Sequence, residues 1–174
     1  MQDKRKTAKA TIAAAATLLF LLYCIGCTVP VGSQVGDNAP NFTLSTLDSS
    51  QLQLSTLKGK PVFLTFWTTT CGACIYQMPF LESAYDEMGD NVEFVTIDIR
   101  QDSYTVKSFI DNYNVSYNFS LPVALDSDGA VSEDYMVTYT PTNVVIDSKG
   151  VIQHIKIGAF TSTEQILTIL NDIK

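Results

Sequence analysis

Cysteine and histidine are scarce in this chain, and so are basic residues once its first few positions are set aside. The 174 residues include four cysteines and a single histidine. A structural zinc site needs four ligands, most often Cys and His. Cys24 and Cys27 close an apolar N-terminal stretch, which leaves Cys71, Cys74 and His154, too few for such a site. Eleven Lys and Arg face eighteen Asp and Glu, a formal charge of -7. Lys4, Arg5, Lys6 and Lys9 all precede residue 28, with Asp3 the one acid there, so the remainder has seven bases, seventeen acids and a charge of -10. An acidic body of this kind repels phosphate backbones, which excludes nucleic acid as a partner. No internal repeat or low-complexity tract is present, and the length suits one compact domain with an N-terminal appendage.

Charge is missing altogether between Lys9 and Asp37, and within that gap Thr11 to Ile25 is strongly apolar. A basic cluster followed by such a run reads as a secretory leader or a membrane anchor. It closes on Ile25-Gly26-Cys27, which resembles the lipobox of bacterial lipoproteins, where the cysteine becomes the lipidated first residue. Cys24 stands where that box usually has Leu, so an uncleaved anchor of about 20 residues is the alternative. In both cases the positive-inside bias leaves the rest of the chain outside the cytoplasm. The expected division is a leader or anchor at 1–27, a linker at 28–38 rich in turn residues, and a folded domain over 39–174.

Within the domain, short alternating segments flank Asp48-Ser49-Ser50 and predict a hairpin. Pro61 to Trp67 is nearly all apolar, as in a strand buried on both faces. Ile75, Met78, Leu81, Tyr85 and Met88 recur at helical spacing and predict one amphipathic helix over Gly72–Met88, bent near Pro79. Val92–Asp98 reads as a strand and Ser103 opens a helix with Val106, Phe109, Ile110 and Tyr113 on its face. Leu121–Leu125 is a short strand and Val131–Met136 a short helix. Thr142–Asp147 and Val151–Ile157 form a hairpin, and a last helix carries Ile166, Ile169, Leu170 and Ile173, opened by Thr161 to Glu164 at capping-box spacing. The order implies an α/β fold: a mixed central sheet with helices on both faces, a β-hairpin extension in front and a central strand-helix insertion.

Cys71-Gly72-Ala73-Cys74 falls where a buried strand stops and a helix begins. The free N–H groups and dipole of a helix N-terminus stabilise a thiolate, the species that attacks disulfides. Cys71 is therefore the expected nucleophile, and Cys74, one turn inward, the thiol that resolves the mixed disulfide. So short a loop would make a poor structural crosslink.

The stretches Gly36-Asp37-Asn38-Ala39-Pro40-Asn41-Phe42-Thr43-Leu44, Leu57 to Val62 leading into Phe66-Trp67, the C-x-x-C with Pro79 beyond it, and Thr140-Pro141-Thr142 together resemble the TlpA-like and ResA-like branch of the thioredoxin superfamily. The resemblance covers Val35 to Lys174. It implies a thioredoxin fold and an extracytoplasmic thiol-disulfide oxidoreductase working as a reductase, with Cys71 and Cys74 catalytic and with Thr140, cis Pro141 and Trp67 binding substrate. It also implies thiol or disulfide protein substrates such as apocytochrome c or related maturation factors, a membrane electron donor, and no cofactor. The chain is expected to be a monomer. Two departures bear on the proton: Thr65 stands where thioredoxins carry a buried acid, and Gln77 where ResA-like proteins carry a Glu. Neither side chain can take the proton of Cys74. Thr70 likewise replaces the aromatic residue usual before the first cysteine.

Two other functions share the fold. A peroxiredoxin-like peroxidase would need Pro-x-x-x-Thr-x-x-Cys; Thr68 fits, but Leu64 replaces the Pro. A copper-delivery module of the Sco type would use two cysteines and a histidine, but its cysteines are spaced more widely. His154 belongs to the expected Val151–Ile157 strand and reads as a solvated strand residue.

Overall fold

The computed structural model describes residues 29–114 and 118–173. The expected leader, with Cys24 and Cys27, lies outside the described residues. Seven strands form one sheet: β1 (Thr43–Thr46), β2 (Gln51–Gln53), β3 (Val62–Trp67), β4 (Glu93–Ile99), β5 (Val123–Asp126), β6 (Thr142–Ile146) and β7 (Ile152–Ile157), in the spatial order β2-β1-β5-β4-β3-β6-β7. β3, β4 and β5 run parallel, while β6 and β7 at one edge and β1 and β2 at the other are antiparallel to their neighbours. Every residue of β3 is buried, as its unbroken apolar run requires of a strand covered on both sides.

The helices are α1 (Gly72–Met88), α2 (Ser103–Tyr113), α3 (Ala130–Asp134) and α4 (Thr163–Asp172). Two cores divide along the pleat of β3. Phe63 and Trp67 face a cluster with Met78, Leu81 and Ala84 of α1, Val106 and Ile110 of α2, and Ile166 and Leu170 of α4. Leu64 and Phe66 face the other side, with Val131 of α3, Tyr135, Phe42 and Leu54. The parallel crossovers through α1 and α2 progress in one direction across the sheet and so fall on one face, as a constant crossover hand demands. This is the thioredoxin fold, with the hairpin β1–β2 in front and helices on both faces.

Some expected boundaries move. β5 starts at Val123 rather than Leu121, following Pro122, which has no N–H to give a ladder. The cap of α4 is Ser162, whose oxygen accepts from Gln165 N at 3.4 Å, while Gln165 Oε1 accepts from Thr161 N at 3.3 Å. The capping pair is therefore one residue beyond the Thr161–Glu164 pair expected.

The segment 28–38, expected as a linker, is instead tied to the body over its described residues. Gly36 N donates to Ile152 O at 2.8 Å, Ile152 N to Asp37 O at 2.9 Å, and Asn38 N to Pro30 O at 2.8 Å. β7 is an edge strand with unpaired backbone groups on its outer side, and this segment satisfies some of them. Gly36, at a φ of 97°, makes the turn that brings the chain alongside. The body thus begins ahead of the Ala39 boundary.

Candidate active site

Cys71 is the N-cap of α1, in extended backbone conformation at the carboxyl end of the parallel strands. Its sulfur accepts from the backbone N–H of Cys74 at 3.1 Å, so a free donor of the helix terminus points at Sγ. No acidic residue occupies the first turn of α1 to oppose a thiolate there. Cys71 is half-buried and Cys74 is 1% exposed. The two are joined as a disulfide with Cα atoms 5.2 Å apart. The outer sulfur can be approached by a partner; the inner one cannot.

The Thr140–Pro141 peptide is cis, and Thr140 O stands 3.4 Å from Cys71 Sγ. With the sulfur in a disulfide this is a contact and not a hydrogen bond; the reduced thiol has a proton to place there. The loop from β3 is braced from the opposite side. Gln101 Oε1 accepts from Thr69 N at 2.8 Å, and its Nε2 donates to Thr69 Oγ1 at 2.9 Å. Tyr76, Met136 and Tyr139 are exposed apolar side chains on the segments that carry the site. A cleft of about 590 Å³ lined by Leu47, Leu52, Phe119 and Leu121 includes neither cysteine.

Behind the cysteines the structure brings Thr65 and Gln77 together through Asn143, a residue that no motif in the sequence marks. Thr65 and Asn143 are register partners on β3 and β6. Thr65 Oγ1 donates to Asn143 Oδ1 at 2.9 Å, and Gln77 Nε2 donates to the same oxygen at 3.1 Å. Asn143 Nδ2 donates to Gly158 O at 3.2 Å, and Gln77 Oε1 accepts from Phe160 N at 3.1 Å. Gln77 and Asn143 have no exposed surface at all. Thr65 and Gln77 are thus welded into one neutral, satisfied layer, which holds α1 to β6 and the chain beyond β7. Its signal in the sequence is an amide that, with Thr142, precedes the apolar run of β6.

Trp67 is 1% exposed, its ring packed on Phe109 with centroids 5.6 Å apart. That burial removes it from the substrate-binding residues expected: it lies beside the site in sequence but under it in space. Its register partner on β4 is Asp98, which has no exposed surface. Among the described residues, Trp67 Nε1 and both carboxylate oxygens of Asp98 are the buried side-chain polar atoms without a hydrogen-bond partner. Each such group costs about 1–3 kcal/mol, and more when charged. Burial first, then the carboxylates of Asp126 and Asp102, push the Asp98 carboxyl up to about 7. His154, paired with Val145 on the outer hairpin, lies on β7 and takes no part in this site.

The redoxin family model matches residues 34–170. The chain is similar to the thioredoxin-like protein YneN of Bacillus subtilis, 36% identical over 77% of this chain and 78% of that one. It is also similar to the thiol-disulfide oxidoreductase ResA of Bacillus thuringiensis, 34% identical over 80% of this chain and 83% of that one. Among solved structures it resembles the exposed lipoprotein thioredoxin of Streptococcus pneumoniae, with a TM-score of 0.65 and 28% identity over 76% of this chain and 99% of that one. With a dithiol at a helix N-terminus, a cis-proline loop against its outer sulfur and these relatives, the chain belongs to the redoxin family, as a ResA-like thiol-disulfide oxidoreductase of the thioredoxin superfamily.

Proposed function

We propose that the protein works outside the cytoplasm as a disulfide reductase, held at the membrane by its N-terminus, with Cys71 as attacking thiol and Cys74 as resolving thiol. The observation that carries the assignment is the asymmetry of the pair: Cys71 Sγ is approachable and faces the N–H of Cys74, while Cys74 is buried. The Cys71 thiolate attacks one sulfur of a partner disulfide and expels the other as a thiolate. Cys74, once deprotonated, attacks Cys71 Sγ of the mixed disulfide and expels the second partner sulfur. The partner gains two electrons and, on protonation, two thiols; the protein is left with the Cys71–Cys74 disulfide.

An extended partner segment would lie against Thr140 beside cis Pro141, with the exposed Tyr76, Met136 and Tyr139 as an apolar rim for a protein substrate. Such substrates include apocytochrome c or related maturation factors, and a membrane electron donor would restore the dithiol. The basic N-terminus and Ile25-Gly26-Cys27 support export and lipid attachment at Cys27, and the similar pneumococcal protein is an exposed lipoprotein. The test has three arms. Iodoacetamide should label Cys71 of the reduced protein faster than Cys74; equal rates would sink the assignment. Mass spectrometry of the membrane-extracted protein should show an acylated Cys27, whereas intact residues 1–26 would establish a helical anchor instead. A reduction potential above that of the glutathione couple would reverse the direction proposed.

A further inference from the structure

The described chain buries three carboxylates, and two of them hold the fold together. Glu82 accepts from Ser120 N and Ser120 Oγ, both at 2.8 Å, and from Leu121 N at 3.2 Å. Asp126 accepts from Val131 N at 3.1 Å and Ser132 N at 2.8 Å, at the start of α3. Asp98 accepts nothing. A buried acid without a structural task is a candidate for a functional one.

Its position says which. Asp98 is the register partner of Trp67 at the carboxyl ends of parallel strands, where the chain leaves β3 for Cys71. Its side chain shares a face with Phe94, by strand alternation, and so with the cluster that holds Trp67 and Cys74 and against which Cys71 packs. On that same face the layer of Thr65, Asn143 and Gln77 has nothing that ionises near neutrality. The charged groups that act on Asp98 are Asp126 on β5 and Asp102 at the head of α2, and the two cysteines of α1 belong to the cluster on the same face. Asp102 is held below the usual carboxylate range by the N–H and hydroxyl of Thr105, so it stays charged. Arg100, further along the chain, is engaged with Glu133 at the surface.

We infer that Asp98 is the proton-linked acid of this redox site, coupled to the Cys71/Cys74 pair by charge through the buried interior, with Trp67 beside it as the group that senses its state. It is a positioning residue in the electrostatic sense and does not touch the sulfurs. When the dithiol is reduced and Asp98 is ionised, Cys71 can lose its proton while Asp98 gains one, so the thiol and carboxylate become thiolate and carboxylic acid with no net change of charge. A charged Asp98 opposes the thiolate, and the thiolate opposes ionisation of Asp98. The inference rests on the dithiol reading of the site, though not on which cysteine attacks.

Trp67 is the chain's single tryptophan, so its fluorescence reports this place alone. The full-length protein in detergent is titrated between about pH 5 and pH 9, once oxidised and once reduced, with Asp98→Asn alongside. The parent should show an inflection near neutrality that moves up on reduction, by about one unit if the charges lie roughly 12 Å apart at an effective dielectric near 20. Asp98→Asn should show no such inflection, and Cys71 in it should react with iodoacetamide several-fold faster at about pH 8, its thiol now free of the neighbouring charge. The two parent titrations need no variant, so a poorly folding Asp98→Asn does not blunt the test. Equal midpoints in the two redox states, or an inflection that survives Asp98→Asn, would overturn the coupling. Failure of Cys71 to label ahead of Cys74 would strike the proposed roles of the cysteines and leave this midpoint shift standing.

Discussion

Gln77→Glu places a carboxyl one helical turn from Cys74, inside the neutral layer. Gln77 Nε2 now donates to Asn143 Oδ1 at 3.1 Å and Oε1 accepts from Phe160 N at 3.1 Å. A protonated Glu reproduces both bonds, its O–H taking the place of the amide donor. An ionised Glu sets a second acceptor against Asn143 Oδ1, in a position with no solvent exposure. A turn of the Asn143 amide would relieve that clash only by giving up its bond to Gly158 O. Burial and the lost donor therefore both raise the folded pKa above the unfolded value of about 4.3.

The sign follows from proton counting. Above about pH 4.3 the unfolded chain has released the Glu proton and the folded chain still holds it, so stability falls as pH rises until the folded pKa is reached. At about 1.4 kcal/mol per unit, a folded pKa two to three units up costs roughly 3–4 kcal/mol, all of it lost by about pH 7. The variant should match the parent near pH 4 and unfold at clearly lower urea near pH 8. Near neutrality the same carboxyl is half ionised and can accept the Cys74 proton, so exchange with a small disulfide should speed up by about tenfold to a hundredfold. Stopped-flow traces and urea titrations at both pH values read the two effects. A stability difference that does not change with pH, together with an unchanged exchange rate, would refute the account of the layer and of the missing acid.

Asp98 carries the same sign in the parent protein. With its carboxyl pushed up to about 7, its contribution is fully present below about pH 4 and is lost as pH rises toward 7, a fall on the order of 4 kcal/mol that urea titrations should show and Asp98→Asn should abolish. Asn143→Ala leaves Thr65 Oγ1 and Gln77 Nε2 without their shared acceptor, so it should destabilise by about 2–4 kcal/mol in denaturant titrations; a change under about 0.5 kcal/mol would mean that water replaces the amide without cost.

The dithiol, the strands and the helix that carries Cys71 were legible because each is written locally, as a spacing or an apolar run. Asn143 and Asp98 were not, because each acts through a neighbour fixed by sheet register: Asn143 opposite Thr65, Asp98 opposite Trp67. Nothing in the spacing along one strand names the residue across from it. The resemblance implies a substrate-facing Trp67, but neither it nor proximity in sequence fixes which way a ring at the end of a buried strand turns. The segment before Ala39 looked like a linker because its composition is that of turns, while its backbone bonds to β7 depend on no side-chain pattern.

The docking of that segment bears on how the molecule would stand if it is tethered at a membrane as proposed. Asn38 bridges to Val151, and the far end of β3, at Val62, pairs with Ile146 nearby; the cysteines follow the other end of β3. Were Cys27 the anchor, about 10 Å of chain at most would separate it from Pro30, which together with Val29 is bonded to Asn38. The six residues of β3 then hold the dithiol some 20 Å farther out. A leash that short, fixed at the opposite pole, would keep the reactive end turned outward. On the proposed tethering, soluble clients would meet it unhindered, whereas a bilayer-embedded reductant would need a domain raised above the membrane to reach it.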